Sequence, residues 1–132
     1  IDGLVVGSPV HYCGPSGQVR PFLDRLFFSS GGRFAGKVGA AVVSCRRGGA
    51  ATAFDQLNKY FSISNMPIAT SQYWNQVHGN TAEEVVQDLE GMQTMRTLGK
   101  NIAWMLKCRQ AAQRAGVQAP EYEPQIITNF IR

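Results

Sequence analysis

The feature that most constrains this chain is an alternation of short apolar runs with segments of helical periodicity. Residues 1–8 hold Leu4, Val5 and Val6 in a continuous run, the pattern of a strand buried on both faces. Over residues 17–28, Val19, Phe22, Leu23, Leu26 and Phe27 recur at helical spacing, with Pro21 tolerated in the first turn. Gly31 and Gly32 end that helix. Residues 37–44 read as a second apolar strand, residues 52–61 as a helix with Phe54, Leu57 and Phe61 on one face, and residues 66–70 as a third strand. Thr81, with Glu84 three positions later, reads as a capping box that opens one long helix. Its expected buried face carries Val85, Leu89, Met92, Ile102 and Leu106. Gly91 and Gly99 interrupt it at about 1 kcal/mol each relative to Ala, so close packing or a bend is expected there. Gly116 is the expected stop.

Strand followed by helix, three times over, calls for a parallel sheet with right-handed crossovers, the doubly wound α/β class. The expected neighbours are strands at 4–7, 38–44 and 67–70, all parallel. Three strands leave the edge beside the first one naked. The chain also opens at Ile1 inside an apolar run, so two further βα units are expected upstream, about 60 residues at about 30 each. The expected organisation is an incomplete α/β domain over residues 1–116 and an extended tail over 117–132, which holds Pro120, Pro124 and the apolar run IITNFI.

Composition excludes more than it assigns. A chain of 132 residues is one domain or part of one, and 44% apolar with 17% charged residues is a globular balance. Thirteen Lys+Arg against nine Asp+Glu give +4, and Arg46-Arg47 is the tightest basic pair, so nucleic acid is not an expected partner. No apolar run reaches bilayer length, and a membrane is not expected either. Cys13, Cys45 and Cys108 are odd in number and far apart, and His11 and His78 are isolated. Neither a disulfide framework nor metal-ligand spacing results, so a cytoplasmic protein without a metal site in this segment is expected.

In open α/β sheets ligands bind beyond the carboxyl ends of the strands, and three loops fall there. The first runs Ser8-Pro9-Val10-His11-Tyr12-Cys13-Gly14-Pro15-Ser16-Gly17; its small residues let backbone N–H groups approach a planar ligand, on which Tyr12 could stack. The second, Ser44-Cys45-Arg46-Arg47-Gly48-Gly49, sets two arginines beside two glycines ahead of a helix, the composition of an anion site. The third spans residues 71–80 and carries Tyr73, Trp74 and His78. An ordinary connection, a solvated basic turn and packing against a neighbour are the plainer readings of the three.

The run GSPVHYCGPSGQVRPFLDR resembles the flavin loop and following helix of the NAD(P)H-dependent FMN reductase superfamily, which includes multimeric quinone reductases and iron–sulfur flavoproteins. The segments SCRRGG and YWNQVHGN are also similar to members of that group, so the resemblance extends from Ile1 to about Lys107. It implies a flavodoxin-like, three-layer α/β/α fold with a doubly wound parallel sheet, of which this chain would be the C-terminal portion. It also implies FMN at the switch point, with Pro9, Val10, His11, Tyr12, Cys13 and Gly14 lining the ring, and Ser8 and Ser16 nearby. Ser44, Cys45, Arg46, Arg47, Gly48 and Gly49 would flank the ring's other side. The flavin would perform the chemistry, with NAD(P)H as co-substrate and a quinone or other small molecule as acceptor. No side chain need then be an acid or base, and His78, Tyr12 and Trp74 would shape the acceptor pocket. An electron-transfer flavoprotein serving a protein partner is the alternative; a flavodoxin-like scaffold without flavin is a third reading. The family's phosphate-binding loop and the cysteine motif of its iron–sulfur branch both belong to upstream sequence that this segment does not contain. Members of the family are commonly homodimers or homotetramers, and Tyr73, Trp74, Trp104 and the tail offer apolar material for such an interface.

Overall fold

A computed structural model describes residues 1–130. Its elements are β1 (Gly3–His11), β2 (Gly14–Pro15), α1 (Val19–Ser29), β3 (Val38–Cys45), α2 (Ala50–Ile63), β4 (Gln76–His78), α3 (Ala82–Val85) and α4 (Leu89–Arg114). The sheet order is β2-β1-β3-β4. β1 and β3 run parallel from Gly3↔Val38 to Pro9↔Ser44, and β3 and β4 run parallel from Val43↔Gln76 to Cys45↔His78. The doubly wound architecture therefore forms as expected, and none of these three strands pairs antiparallel with another.

Two expectations need correction. The third strand is not the stretch 67–70, which makes a single parallel bridge, Gly39↔Ile68. There Gly39 donates its N–H to Pro67 O and accepts the N–H of Ala69. The chain then lifts off the sheet through a turn in which Ser71 Oγ lies 2.6 Å from Tyr73 O and 2.7 Å from Asn75 Oδ1, and returns as β4. The long helix is also broken. Thr81 Oγ1 accepts the N–H of Glu84 at 3.3 Å, but the turn it caps ends at Val85. A second cap at Asp88 starts α4 in a new phase. Leu89 is consequently exposed, and the buried stripe is Gly91, Thr94 and Leu98.

Helices cover both faces of the sheet. On one side Leu23 of α1 and Ala50, Ala53, Leu57 and Phe61 of α2 close over Val6, Ala41, Val43 and Cys45. Phe61 lies so close beneath the sheet that a Cβ at Gly39 would stand 2.7 Å from its ring. On the other side Leu98 of α4 packs on Val38, Ala40 and Ala69. At the outer edge β2 pairs with only the end of β1, through Val10↔Pro15 and His11↔Gly14; along Gly3 to Pro9 that edge has no strand neighbour among the described residues. Residues 117–130 carry no regular secondary structure and are exposed. The apolar run of the tail ends at Ile131, which, with Arg132, lies outside the described residues.

Candidate functional site

The first two loops lie at the carboxyl ends of β1 and β3, whereas of the third only Gly79 and Asn80 follow β4, and residues 71–75, with Tyr73 and Trp74, precede it. Pro9, Val10 and His11 belong to β1. β1 turns into β2 through a two-residue connection, Tyr12-Cys13, with φ of 48° and 60°. Positive φ at both central positions is the signature of a type I′ hairpin turn. It holds the Tyr12 and Cys13 side chains out in solvent. Ser8 is buried, and its hydroxyl is fully engaged: it donates to Pro9 O and accepts the N–H of Ser16, both at 2.8 Å. That hydroxyl ties the two ends of the loop together. Ser16 Oγ accepts the N–H of Val19 at 3.4 Å, at the start of α1.

In the second loop Arg46, Arg47 and Gly48 are exposed, and Gly49 is the N-cap of α2 with φ of 85°. A Cβ at Gly49 would meet Cys13 Cα and Sγ at 3.0 Å and Val10 Cγ1 at 3.2 Å. Only glycine satisfies both the left-handed backbone and that approach. This contact brings the first and second loops together into one open wall that includes the N-terminus of α2. Two members of the expected set point elsewhere. The Cβ position of Gly14 faces Gln56 of α2, 3.5 Å from its Oε1, and Ser44 lines a cleft with Val77, Gly79 and Met92 on the α4 side. Cys45 is buried, and burial pushes its thiol up despite opposing backbone N–H groups of Arg47 and Ala50. Arg46 and Arg47 make no ion pair among the described residues.

The third loop is shorter than expected, because Gln76–His78 is strand β4. Tyr73 and Trp74 remain half-exposed, with ring centroids 5.2 Å apart. His78 has a partner that sequence reasoning missed. Its N–H donates to Asp88 Oδ2 at 2.7 Å, and its Nδ1 lies 3.4 Å from the same oxygen. Asp88 Oδ1 accepts the N–H of Gly91 at 2.9 Å. The Gly91 N–H, followed by that of His78, holds the Asp88 carboxyl below the usual carboxylate range, against the opposing effect of burial. An Asp with Glu two positions on is a helix-start signal that could have been read at residue 88, had the Thr81 box not already claimed the helix.

The wall formed by the first two loops is a shelf rather than an enclosed pocket. A cleft of about 570 Å³ lies instead between α1 and α2, lined by Arg20, Asp24, Lys59 and Tyr60. The shelf tests well against a flat ligand: Gly48 and Gly17 have nothing within 4 Å of their Cβ positions, and Gly49 leaves the first turn of α2 without a side-chain cap. The N–H groups of Arg47 and Ala50 face the Cys45 sulfur, and the other backbone N–H groups of the loop and first turn can donate to an electron-rich ring edge. Among the described residues no group of three His, Cys, Asp or Glu side chains is placed to hold a metal ion, and no helix is long and apolar enough to cross a membrane.

Comparison with known proteins bears on the same segments. An iron-sulfur flavoprotein of Methanocaldococcus jannaschii is 32% identical over 114 residues, covering 80% of this chain and 59% of that protein. An iron-sulfur flavoprotein of Archaeoglobus fulgidus is 28% identical over 116 residues, 80% of this chain and 60% of its own length. The chain thus spans about three fifths of these relatives. Among solved structures, a flavodoxin, WrbA-like protein from Agrobacterium tumefaciens superposes with a TM-score of 0.65 over 81% of this chain and 67% of its own, at 17% identity. That likeness shows a flavodoxin-like fold. Residues 1–81, which contain both apposed loops and β4, match the family described as NADPH-dependent FMN reductase, and it is to this family that the chain belongs.

Proposed function

We propose that this chain is the C-terminal portion of an FMN-dependent NAD(P)H oxidoreductase that passes reducing equivalents to a quinone or other small acceptor. The observation that carries the reading is the closure of Val10, Cys13 and Gly49 into one wall at the carboxyl ends of β1 and β3. Pro9, Val10, His11, Tyr12 and Cys13 would line one side of the isoalloxazine; Arg46, Arg47, Gly48 and Gly49 would flank the other. Bound there, FMN supplies hydride and electron transfer. The chain's own residues orient and polarise. Backbone N–H groups of the second loop donate hydrogen bonds to the ring edge, and the two arginines favour negative charge on a reduced ring or a nicotinamide phosphate. Ser8 and Ser16 act one step back, by holding the first loop in shape.

The openness of the shelf, with Tyr12 wholly exposed at its tip, favours one second reading: electron transfer to a protein partner. Reconstitution tests both. Protein that takes up FMN and is bleached directly by NADPH or NADH supports the reductase. Protein that holds FMN but accepts electrons only from a protein donor, in one-electron steps, favours the second reading. Failure of the full-length protein to bind FMN leaves a scaffold without flavin. We also propose a homodimer or homotetramer, because Trp104 is 69% exposed and Phe130 90% exposed, a poor state for a lone domain. A clean monomer in sedimentation of the full-length protein would overturn that assembly.

A further inference from the structure

The pair formed by His78 and Asp88 sits where β4 ends and α4 begins, and two backbone N–H groups and one imidazole nitrogen converge on one carboxylate. Oδ1 is committed to Gly91, and Oδ2 to the His78 backbone, with the imidazole Nδ1 beside it. The approach is tight: a Cβ at Gly91 would lie 2.3 Å from Asp88 Oδ2 and 3.1 Å from Gln76 O. The carboxylate therefore has little freedom to turn away from the ring. An ionised carboxylate only accepts, so the 3.4 Å approach favours the proton on the ring nitrogen that faces it. In a neutral imidazole that leaves Nε2 as a lone-pair acceptor on the opposite edge.

His78 also lines a cleft of about 200 Å³, shared with Tyr73, Gln76, Glu90 and Thr94. The Oε1 of Gln76 is itself buried without a hydrogen-bond partner. With Nε2 unprotonated, the residues that line the cleft offer the imidazole nitrogen and the Glu90 carboxylate as acceptors. A ligand that donates a hydrogen bond would match the acceptor that Nε2 presents.

We propose that Asp88 is a positioning residue that fixes His78 in the Nδ1–H tautomer, so that Nε2 accepts a hydrogen bond from an O–H or N–H group of a small molecule in this cleft. The proposal rests on the flavin reading only for the cleft's proximity to the reacting ring; the tautomer itself needs no flavin. Ring-nitrogen NMR of the full chain, at a pH where histidine is neutral, reads it directly. With only two histidines, His11→Gln completes the assignment. The expected result is a His78 ring protonated mainly at Nδ1. Asp88→Asn leaves one acceptor oxygen for the N–H groups of Gly91 and His78, so it loosens the hold on the ring and should lower the Nδ1–H fraction. Asp88→Ser keeps a cap too short to reach the ring, and should relax the ratio toward that of His11. Wild-type His78 protonated mainly at Nε2 overturns the proposal whatever the variants do, as does a Ser variant that folds and leaves the ratio unchanged. On FMN-loaded protein, 1,4-hydroquinone should shift the His78 Nε2 resonance while 1,4-dimethoxybenzene, which lacks donors, should not. Equal shifts would overturn the donor-binding part. Protein that shows the tautomer but never binds FMN would overturn the flavin reading and leave the pair standing.

Discussion

The two faces of the sheet are packed unequally. On the α1–α2 side the core is built from large rings and branched chains: Phe27 stacks with Phe34, Tyr60 and Phe61 at centroid distances of 5.1, 5.4 and 6.0 Å, over fully buried Leu57 and Val43. On the α4 side the contacts are Ala40, Ala69, Val38 and Leu98, and Val5 of β1 is left 53% exposed. Both α1 and α2 start at the loops that close over each other, whereas the α4 side carries His78 and its carboxylate. The candidate site thus has one half anchored in the dense layer and one half held by hydrogen bonds on the thin one.

The largest effect should come from the dense side. Phe61→Ala is expected to cost about 3–5 kcal/mol in urea unfolding, because the ring fills a layer that cannot collapse. Leu98→Ala on the thin side should cost about 2–3 kcal/mol, the low end of its class, since α4 can settle toward the open sheet. Equal losses would break the comparison. Asp88→Ala should cost about 1–2 kcal/mol through loss of the α4 cap. Its pH dependence sharpens the point. A carboxyl whose pKa is lower in the folded chain contributes stability above its unfolded pKa, and that stability is lost as pH falls through the folded value. Wild type should therefore lose stability on acidification in a way the Ala variant does not; parallel curves would remove Asp88 from the account.

Smaller effects belong to the shelf. Replacing Arg46 and Arg47 together with Gln should raise KM for NAD(P)H by up to about fivefold, roughly 1 kcal/mol, with the difference fading at high salt. Salt-independent kinetics would return the pair to a solvated turn. The smallest effect is chemical: iodoacetamide should modify exposed Cys13 and Cys108 in the native chain and spare buried Cys45 with its raised thiol. Rapid labelling of Cys45 would mean the dense layer opens.

What could be read in the sequence follows the same division. β1, β3, α1 and α2 announce themselves through continuous apolar runs and helical spacing, because burial of large side chains leaves a periodic trace. β4 does not: Gln76–His78 contains one apolar residue, and its place is set by pairing to β3 rather than by hydrophobicity. The run at 66–70 looked like a strand because Met66 and Ala69 are buried, yet the bonds at Gly39 and the Ser71 turn limit it to one bridge. At the candidate site, the pattern around GSPVHYCGPSGQ marks the segment that the structure sets at the carboxyl end of β1. It could not show that Ser8 faces inward or that Gly14 faces α2, since side-chain direction depends on a hairpin turn with no Asn or Gly at its centre. Asp88 stayed hidden inside what reads as unbroken helix.

That hairpin has a consequence for anyone who would redesign this protein. A two-residue turn of this type is most readily made by Asn-Gly, and each L-residue in the left-handed region is disfavoured by about 1–2 kcal/mol. Tyr12 and Cys13 occupy it regardless. Rewriting the pair as Asn-Gly would relax the backbone and tighten the fold, while erasing the phenol and the thiol that the turn displays. A library selected for thermal tolerance alone would drift toward that blank tip, and a library selected for activity would resist it; position 12 is therefore where the two selections should part company.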